Sequence, residues 1–333
     1  MYESHFGLTD SPFAMSPDPR FLFFTPSHRE ALAGLMYGIL NRKGFVSLIG
    51  DAGTGKTTLL RRTLDAVNGN KSLIVNPSVA AADFTKLAMA GFGIEEIPAS
   101  RADQFLRFEK FLSQARADEK PCVLVVDEAQ RLSPGVLEEI RMLTNFELSD
   151  GKLLQIVLAG QSELRHQLNR PDLAQLKQRI AMRLTLKPLS GFDEVRTYVR
   201  HRWLTAGGSE IVPFSDEGVR LVARYSTGVP RIVNALCDNA LLLAFAEGSS
   251  LVSVGNIKAA ASDLDSVLLP PPVEQNGLAS SNGAHPPQES PAPGNARPLS
   301  LFRPGSMWPK LERFQPVRVR RRGILRWFAK VGS

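Results

Sequence analysis

Eight consecutive residues match the pattern G-x-x-x-x-G-K-[ST], whose spacing suits the binding of nucleotide phosphates. They are Gly50, Asp51, Ala52, Gly53, Thr54, Gly55, Lys56 and Thr57. An apolar segment precedes them and the helical pattern TTLLRRTLDAV, which contains Thr58, follows. Glycines let backbone N–H groups turn around phosphates, a helix N-terminus adds positive charge, the lysine reaches the outer phosphates and the threonine hydroxyl binds Mg²⁺. We therefore predict a nucleotide site over residues 50–58.

A second candidate site follows the apolar segment 122–127, which ends in Asp127 and continues with Glu128. An apolar strand exposes carboxylates only at its carboxyl end, which is where ligands bind in open α/β sheets. We expect Asp127 to hold Mg²⁺ and Glu128 to polarise the water that attacks the γ-phosphate of ATP. This pattern predicts Mg²⁺-dependent ATP hydrolysis. A protein that binds ATP as a switch without hydrolysing it is the alternative.

The elements that would position these residues follow from hydrophobic patterning. Five short apolar segments alternate with helical patterns, and they cover residues 45–49, 72–76, 122–127, 153–159 and 180–186. This alternation is typical of a parallel sheet with crossover helices. Beyond Pro188 only helical patterns occur, at about 191–206, 215–225, 230–247 and 254–264. The predicted fold class is α/β, a P-loop NTPase sheet followed by a small all-helical lid domain.

We divide the chain into five parts. These are an N-terminal arm (1–26), an ATPase domain (27–188), a helical lid (189–265), a Pro/Ser/Gly-rich linker (266–316) and a basic amphipathic segment (317–333). The arm is rich in Pro and Phe without helical periodicity, so we expect an extended segment that packs its aromatic rings on the body. Ser27 is the predicted N-cap of a helix that runs to about Arg42. The linker composition predicts disorder.

Charge is concentrated at the end of the chain. Residues 266–333 hold ten basic and three acidic side chains, which accounts for the net charge of +7 and leaves residues 1–265 neutral. In the last segment Ile324, Trp327, Phe328 and Val331 share one helical face and arginines lie opposite, which favours contact with an anionic membrane through residues 317–331. An acidic partner, nucleic acid or a solvated end without function are the alternatives.

Several classes of protein and site are not expected. Two cysteines, Cys122 and Cys237, cannot form a disulfide framework, and both lie in apolar segments typical of buried thiols. Histidines and cysteines lack metal-ligand spacing, so we predict no zinc site. The first residues lack the pattern of a signal peptide, and no apolar run reaches the length of a transmembrane helix.

The P-loop, the DEAQ box at 127–130 and the helical lid together resemble an AAA+ ATPase. A closer resemblance is to ATPases of the general secretion pathway protein A type. It is carried by the segments MYESHFGL, SPF, PDPRFLFFTPSHREALAGLMYGI and GFVSLIGDAGTGKTTLLR. The resemblance covers roughly residues 1–265. Relatives of this kind include ATPases of exopolysaccharide and exosortase-type systems, and more distant ones are transposition regulators and replication initiators.

The resemblance implies roles for further residues. Gln161 matches the polar sensor 1 residue, although a helix cap is the alternative, and Asn76 matches a residue that restrains the catalytic glutamate. Arg179 and Arg183 lie where AAA+ proteins carry the arginine finger that reaches a neighbouring subunit's ATP, and an ordinary surface ion pair is the alternative. Arg231, in GVPR, resembles sensor 2 on the lid, with an exposed helix arginine as the alternative.

In the arm and the first helix, Phe6, Pro12, Phe13 and His28 either line an adenine pocket or pack in the core. Packing is favoured for the phenylalanines.

Two classes of function follow. The first is an ATPase that serves assembly or operation of a secretion or envelope export system, located in the cytoplasm or peripherally on the inner membrane. The second is a nucleic-acid-associated ATPase that recruits a transposase or replication factor, which the neutral body disfavours. A nucleotide-gated scaffold without turnover is a third. The resemblance implies a homo-oligomer with ATP at subunit interfaces and secretion or envelope proteins as partners.

Overall fold

The computed structural model describes residues 1–265 with the exception of Asn76 and Ser78. The predictions for Asn76, for the linker 266–316 and for the basic segment 317–333 therefore lie outside the described residues.

A five-stranded parallel sheet forms the centre of the α/β part. The described residues contain seven strands, of which five form this sheet: β1 (Phe45–Gly50), β2 (Asn70–Val75), β3 (Cys122–Asp127), β4 (Glu147–Leu148), β5 (Gly151–Lys152), β6 (Leu154–Gly160) and β7 (Met182–Leu186). The order across the sheet is β2-β3-β6-β1-β7, while β4 and β5 pair as a separate antiparallel hairpin that we did not predict. Strands β1, β3 and β6 are buried along their whole length, as expected of strands covered on both faces.

Helices cover both faces of this sheet and then form a helical part. The helices are α1 (Tyr2–His5), α2 (Pro26–Leu40), α3 (Lys56–Ala66), α4 (Ala81–Gly91), α5 (Arg101–Ala117), α6 (Pro134–Leu143), α7 (Ser162–Leu168), α8 (Ala174–Gln178), α9 (Gly191–Thr205), α10 (Asp216–Ser226), α11 (Pro230–Ala246) and α12 (Val254–Asp265). The last four correspond closely to the helical patterns seen after Pro188. The predicted fold class is confirmed.

The start of α2 differs from its prediction, because Thr25 and not Ser27 is the N-cap. Thr25 Oγ1 accepts a hydrogen bond from the His28 N–H at 3.3 Å, and Pro26 occupies the first helical position. Proline is well suited to that position, since its missing N–H would have no partner there. The Ser27 hydroxyl instead accepts a hydrogen bond from the Lys187 N–H at 3.3 Å.

Residues 1–26 are not simply extended, because they contain α1 and a 3₁₀ turn at Pro19–Phe21. The aromatic rings of this arm pack on the helical part rather than on the sheet. Phe13 is fully buried and meets Phe214 edge to face at 6.0 Å, while Phe6 packs on Trp203 at 6.1 Å. The arm and the helical part therefore share one hydrophobic core.

No helix within residues 1–265 has both the length and the apolar character that crossing a bilayer requires.

Candidate functional site

The phosphate-binding pattern forms a loop between β1 and α3. Gly53 and Gly55 have φ angles of 78° and 90°, a left-handed conformation that glycine adopts without steric penalty. The Lys56 Nζ folds back on the loop and donates to the carbonyl oxygens of Gly50 at 2.8 Å and Asp51 at 3.0 Å. The loop is thus a cradle of main-chain groups around one ammonium group.

Lys56 is buried, and this burial lowers the pKa of its ammonium group. The nearby carboxylates of Glu128 and Asp127 raise the pKa of Lys56 in opposition. A desolvated cation held only by carbonyl oxygens interacts strongly with an anion brought beside it, because the local dielectric constant is low. The loop therefore fits the phosphates of a nucleotide.

The carboxyl end of β3 faces the first turn of α3. Thr57 Oγ1 donates to Asp127 Oδ2 at 2.5 Å, and Asp127 Oδ1 accepts from the Glu128 N–H at 2.9 Å. Asp127 is buried, so its carboxylate offers few directions of approach. A hydroxyl and a carboxylate are hard oxygen donors of the kind that Mg²⁺ uses together with water and substrate phosphates. Thr57 and Asp127 are therefore suited to hold Mg²⁺.

Hydrogen bonds of the Glu128 side chain link the acidic box to Gln161, the residue that follows β6. Its backbone is left-handed, with φ of 55°, and its Oε2 accepts from Gln130 Nε2 at 2.6 Å and from Gln161 Nε2 at 3.5 Å. The Gln161 N–H donates to Gln130 Oε1 at 3.1 Å. Gln161 precedes α7, but its side chain makes no capping hydrogen bond. Both ends of the Gln130 amide are therefore engaged between Glu128 and Gln161.

The sequence prediction did not assign a role to Gln130. Its only sequence signal is its place two residues after Glu128 in the acidic box, which does not show where its amide points.

A cavity of about 330 Å³ lies beside the loop. Its walls come from residues 14–18 and 53–58, from Glu128, and from residues of α9 and α11. His28 also lines the cavity, whereas Phe6, Pro12 and Phe13 do not. For the phenylalanines, packing in the core is therefore the observed arrangement.

The helical part reaches the loop through the first turn of α11. The Arg231 N–H donates to the Gly53 carbonyl oxygen at 3.3 Å, and a Cβ on Gly53 would lie 2.5 Å from the Arg231 Cβ. The Arg231 side chain is exposed, lines the cavity and makes no ion pair or hydrogen bond within the described part of the chain. Its guanidinium is thus available to an anion in the cavity.

A buried arginine ties the arm to the same wall. The Arg202 guanidinium donates to the carbonyl oxygens of Pro12 and Ala14, and to the Tyr198 hydroxyl at 3.1 Å. It also lies 4.8 Å from the centre of the Phe21 ring. Nothing in the sequence marked Arg202, because the two carbonyl oxygens to which it donates lie about 190 residues away along the chain.

The two candidate finger arginines lie away from this cavity. Arg179 is half-buried after α8 and donates to Thr144 Oγ1 at 2.9 Å. Arg183 is exposed on the edge strand β7, and its guanidinium lies 3.5 Å from the Lys177 carbonyl oxygen. Neither lines the cavity of its own chain. The structure therefore brings together the loop, Asp127, Glu128, Gln161 and Arg231, and leaves these two arginines outside the group.

Within the described residues, no group of three or more His, Cys, Asp or Glu side chains is arranged to hold a metal ion. Cys122 and Cys237 are buried free thiols, and burial raises the pKa of both.

Comparison with known proteins places this geometry in a family context. Residues 39–168 match the AAA domain family. The chain is 41% identical over 273 residues to general secretion pathway protein A of Aeromonas hydrophila, an alignment that covers 80% of this chain and 49% of that protein. An uncharacterized HTH-type transcriptional regulator of Methanocaldococcus jannaschii is 24% identical over 167 residues, or 49% of this chain and 39% of that protein. The chain thus spans at most about half the length of these relatives.

Solved structures share the fold. The ORC2 protein of Aeropyrum pernix superimposes with a TM-score of 0.56 at 17% identity, over 74% of this chain and 72% of that one. A single-residue variant of RuvB from Thermotoga maritima superimposes with a TM-score of 0.53 at 18% identity, over 76% and 73% of the two chains. These similarities support the fold alone.

Proposed function

Because this chain is an AAA+ protein of the general secretion pathway protein A type, we propose that it binds and hydrolyses ATP with Mg²⁺. We further propose that turnover drives the assembly or operation of a secretion or envelope export system. One observation carries the proposal: Lys56, Thr57, Asp127 and Glu128 meet at the carboxyl end of the sheet, beside a cavity. Open α/β sheets bind their ligands at this edge.

In this proposal the chain's own groups bind and orient the substrate. Backbone N–H groups of the loop and the Lys56 ammonium bind the β- and γ-phosphates. Thr57 and Asp127 would hold Mg²⁺, which when bound would supply positive charge against the charge that develops on the phosphates. Glu128 accepts a hydrogen bond from the attacking water and orients it toward the γ-phosphate. Hydrolysis then releases phosphate and ADP.

We propose that Gln161 and Arg231 make the contacts to the γ-phosphate that lie outside the loop. Support for Gln161 comes from its position beside Glu128, since an amide N–H there can donate to a phosphate oxygen. Support for Arg231 comes from its exposed guanidinium and its backbone hydrogen bond to Gly53. A lid held through Arg231 would move when the γ-phosphate leaves, which is a hinge-type change.

We propose further that the active form is a homo-oligomer in which Arg179, or alternatively Arg183, reaches the ATP of the neighbouring subunit. An arginine is suited to this task because it stays charged and binds phosphate oxygens in a forked geometry. Neither arginine lines the cavity beside the phosphate-binding loop of its own chain, which is compatible with action across a subunit interface.

The cellular part of the proposal is a location at the cytoplasmic face of the inner membrane. It is supported by the name of the Aeromonas relative and by the basic amphipathic segment 317–331 of the sequence. Envelope or secretion proteins are the proposed partners. A nucleic-acid-associated role is the second candidate, and the neutral charge of residues 1–265 disfavours it.

Two experiments test this function. Phosphate release by the full chain should require Mg²⁺ and disappear on chelation, and Thr57→Ala should need far more Mg²⁺ than Thr57→Ser. In the source cells, a Glu128→Gln copy at native level should reduce export of envelope material to the level of a deletion. Normal export with this variant, together with impaired DNA transposition or replication, would favour the nucleic-acid role.

A further inference from the structure

His28 is a buried residue in the first turn of α2 whose ring contacts the phosphate-binding loop. Its Nε2 lies 3.1 Å from the carbonyl oxygen of Thr54, and its Nδ1 lies 2.7 Å from Thr25 Oγ1. Only 3% of the residue is exposed. The ring therefore joins the segment before the sheet to the loop between β1 and α3.

The hydrogen bonds define which ring nitrogen carries the proton. A carbonyl oxygen can only accept, so Nε2 donates to Thr54. Burial lowers the pKa of His28, which favours the neutral ring, and Nδ1 of a neutral ring accepts from the Thr25 hydroxyl. Thr25 in turn caps α2, so the orientation of the ring is set by the helix start.

This contact determines which way one peptide group of the loop faces. In a trans peptide the C=O and the following N–H point in opposite directions. With the Thr54 carbonyl directed at His28, the Gly55 N–H points away from the ring, and it has no acceptor within the described part of the chain. Gly55 is left-handed, and a peptide bond followed by glycine can flip with little steric cost.

We propose that His28 is a positioning residue for nucleotide binding, which holds the peptide between Thr54 and Gly55 so that the Gly55 N–H faces a phosphate oxygen. The inference rests on the proposed binding of ATP. Without the His28 donor the peptide is free to flip, and its carbonyl oxygen would then face the anionic phosphate. Nucleotide affinity should fall, whereas turnover at saturation should change little, because Glu128 and Asp127 do not contact His28.

Two isosteric substitutions test this contact. The amide nitrogen of glutamine reaches the position of Nε2, whereas that of asparagine reaches only the position of Nδ1. In the full 333-residue chain, His28→Asn should raise the Kd for ATP and the KM about tenfold, a loss typical of one buried hydrogen bond to a polar group. The kcat should stay within about twofold, and His28→Gln should recover most of the affinity.

Both substitutions remove the ring, so a purely structural role would lower the melting temperature and the affinity equally in the two variants. That result would overturn the proposal, as would an unchanged Kd in His28→Asn. If the asparagine variant does not fold, His28→Phe gives the same test, because phenylalanine keeps an aromatic ring but has no donor for the Thr54 carbonyl oxygen. An unchanged Kd in that variant would contradict the proposal.

Measurements of ATP binding by the parental chain and by Lys56→Ala distinguish a failure of the proposed ATP binding from a failure of the inference about His28. If the parental chain does not bind ATP, the proposed function is wrong. If the parental chain binds ATP, Lys56→Ala does not, and His28→Asn binds like the parental chain, the inference about His28 alone is wrong.

Discussion

Gln130 Nε2 donates a hydrogen bond of 2.6 Å to Glu128 Oε2, while the other end of the same amide accepts from the Gln161 N–H. The amide can satisfy both partners in one orientation only, because a flip would set two oxygens against each other. Glu128 is therefore held from the side of β6, the strand that ends next to the acidic box.

Replacing Gln130 should impair turnover without impairing binding. Gln130→Leu removes both hydrogen bonds of the amide and leaves the Glu128 carboxylate with only the longer contact of 3.5 Å to Gln161 Nε2. Misplaced catalytic groups commonly cost one to two powers of ten, so we expect kcat to fall roughly tenfold. The KM for ATP should stay near the parental value, as measured by steady-state phosphate release. Gln114→Leu on α5 is the control, since Gln114 is exposed and does not line the cavity. Equal kcat values for Gln130→Leu and the parental chain would contradict the positioning of Glu128 by Gln130.

Arg231→Ala should separate a role at the γ-phosphate from a role in folding. Because the side chain is exposed and makes no ion pair within residues 1–265, its removal should leave the melting temperature unchanged. The kcat should fall at least about tenfold, since a positive charge at a transferring phosphoryl group has effects of that size or larger. Arg224→Ala, an exposed arginine of α10, is the control and should behave as the parental chain. A parental kcat in Arg231→Ala would show that Arg231 has no role at the γ-phosphate and is an ordinary exposed helix arginine.

The prediction that Arg179 is an arginine finger is tested by mixing two variants of the chain. Arg179→Ala should bind ATP normally yet hydrolyse it poorly, and activity should return when it is mixed with Lys56→Ala, whose own site is inactive but whose Arg179 is intact. Rescue can occur only across a subunit interface. The measurement is phosphate release by mixtures that are shown to co-assemble.

Thr144→Val serves as the control for that prediction. It removes the hydroxyl that Arg179 bonds within its own chain but keeps the guanidinium. Parental or higher activity is expected. If Thr144→Val loses as much activity as Arg179→Ala and mixing restores neither, the arginine has only a structural role, and Arg183 becomes the candidate finger.

The sequence predicted the fold well where burial is uniform. Segments such as 122–127 are apolar throughout because helices cover both faces of the strand, and this pattern is visible without a structure. The predicted bounds of the edge strands differ from the observed bounds by one or two residues, because only alternate positions of β2 are buried. The hairpin of β4 and β5 was missed because two-residue strands carry no periodicity.

The site was predictable to the extent that its residues are adjacent in sequence. The loop 50–58 and the pair Asp127 and Glu128 were identified from spacing and from the strand that precedes each. His28 and Arg202 act through carbonyl oxygens that lie 26 and about 190 residues away, so no local pattern reports their contacts. The N-cap of α2 was misassigned for a different, local reason: Pro26 occupies the first helical position, which makes the preceding residue, Thr25, the N-cap.

The most direct test of ATP hydrolysis at this site compares ATP binding and ATP turnover in three preparations: the parental chain, Lys56→Ala and Glu128→Gln. The parental chain should bind ATP and release phosphate. Lys56→Ala should do neither, because the phosphates lose the cation in the loop. Glu128→Gln should bind ATP with parental affinity and turn it over at least about 10²-fold more slowly, since the water loses its base. Hydrolysis by Glu128→Gln at the parental rate, or parental affinity in Lys56→Ala, would contradict these assignments.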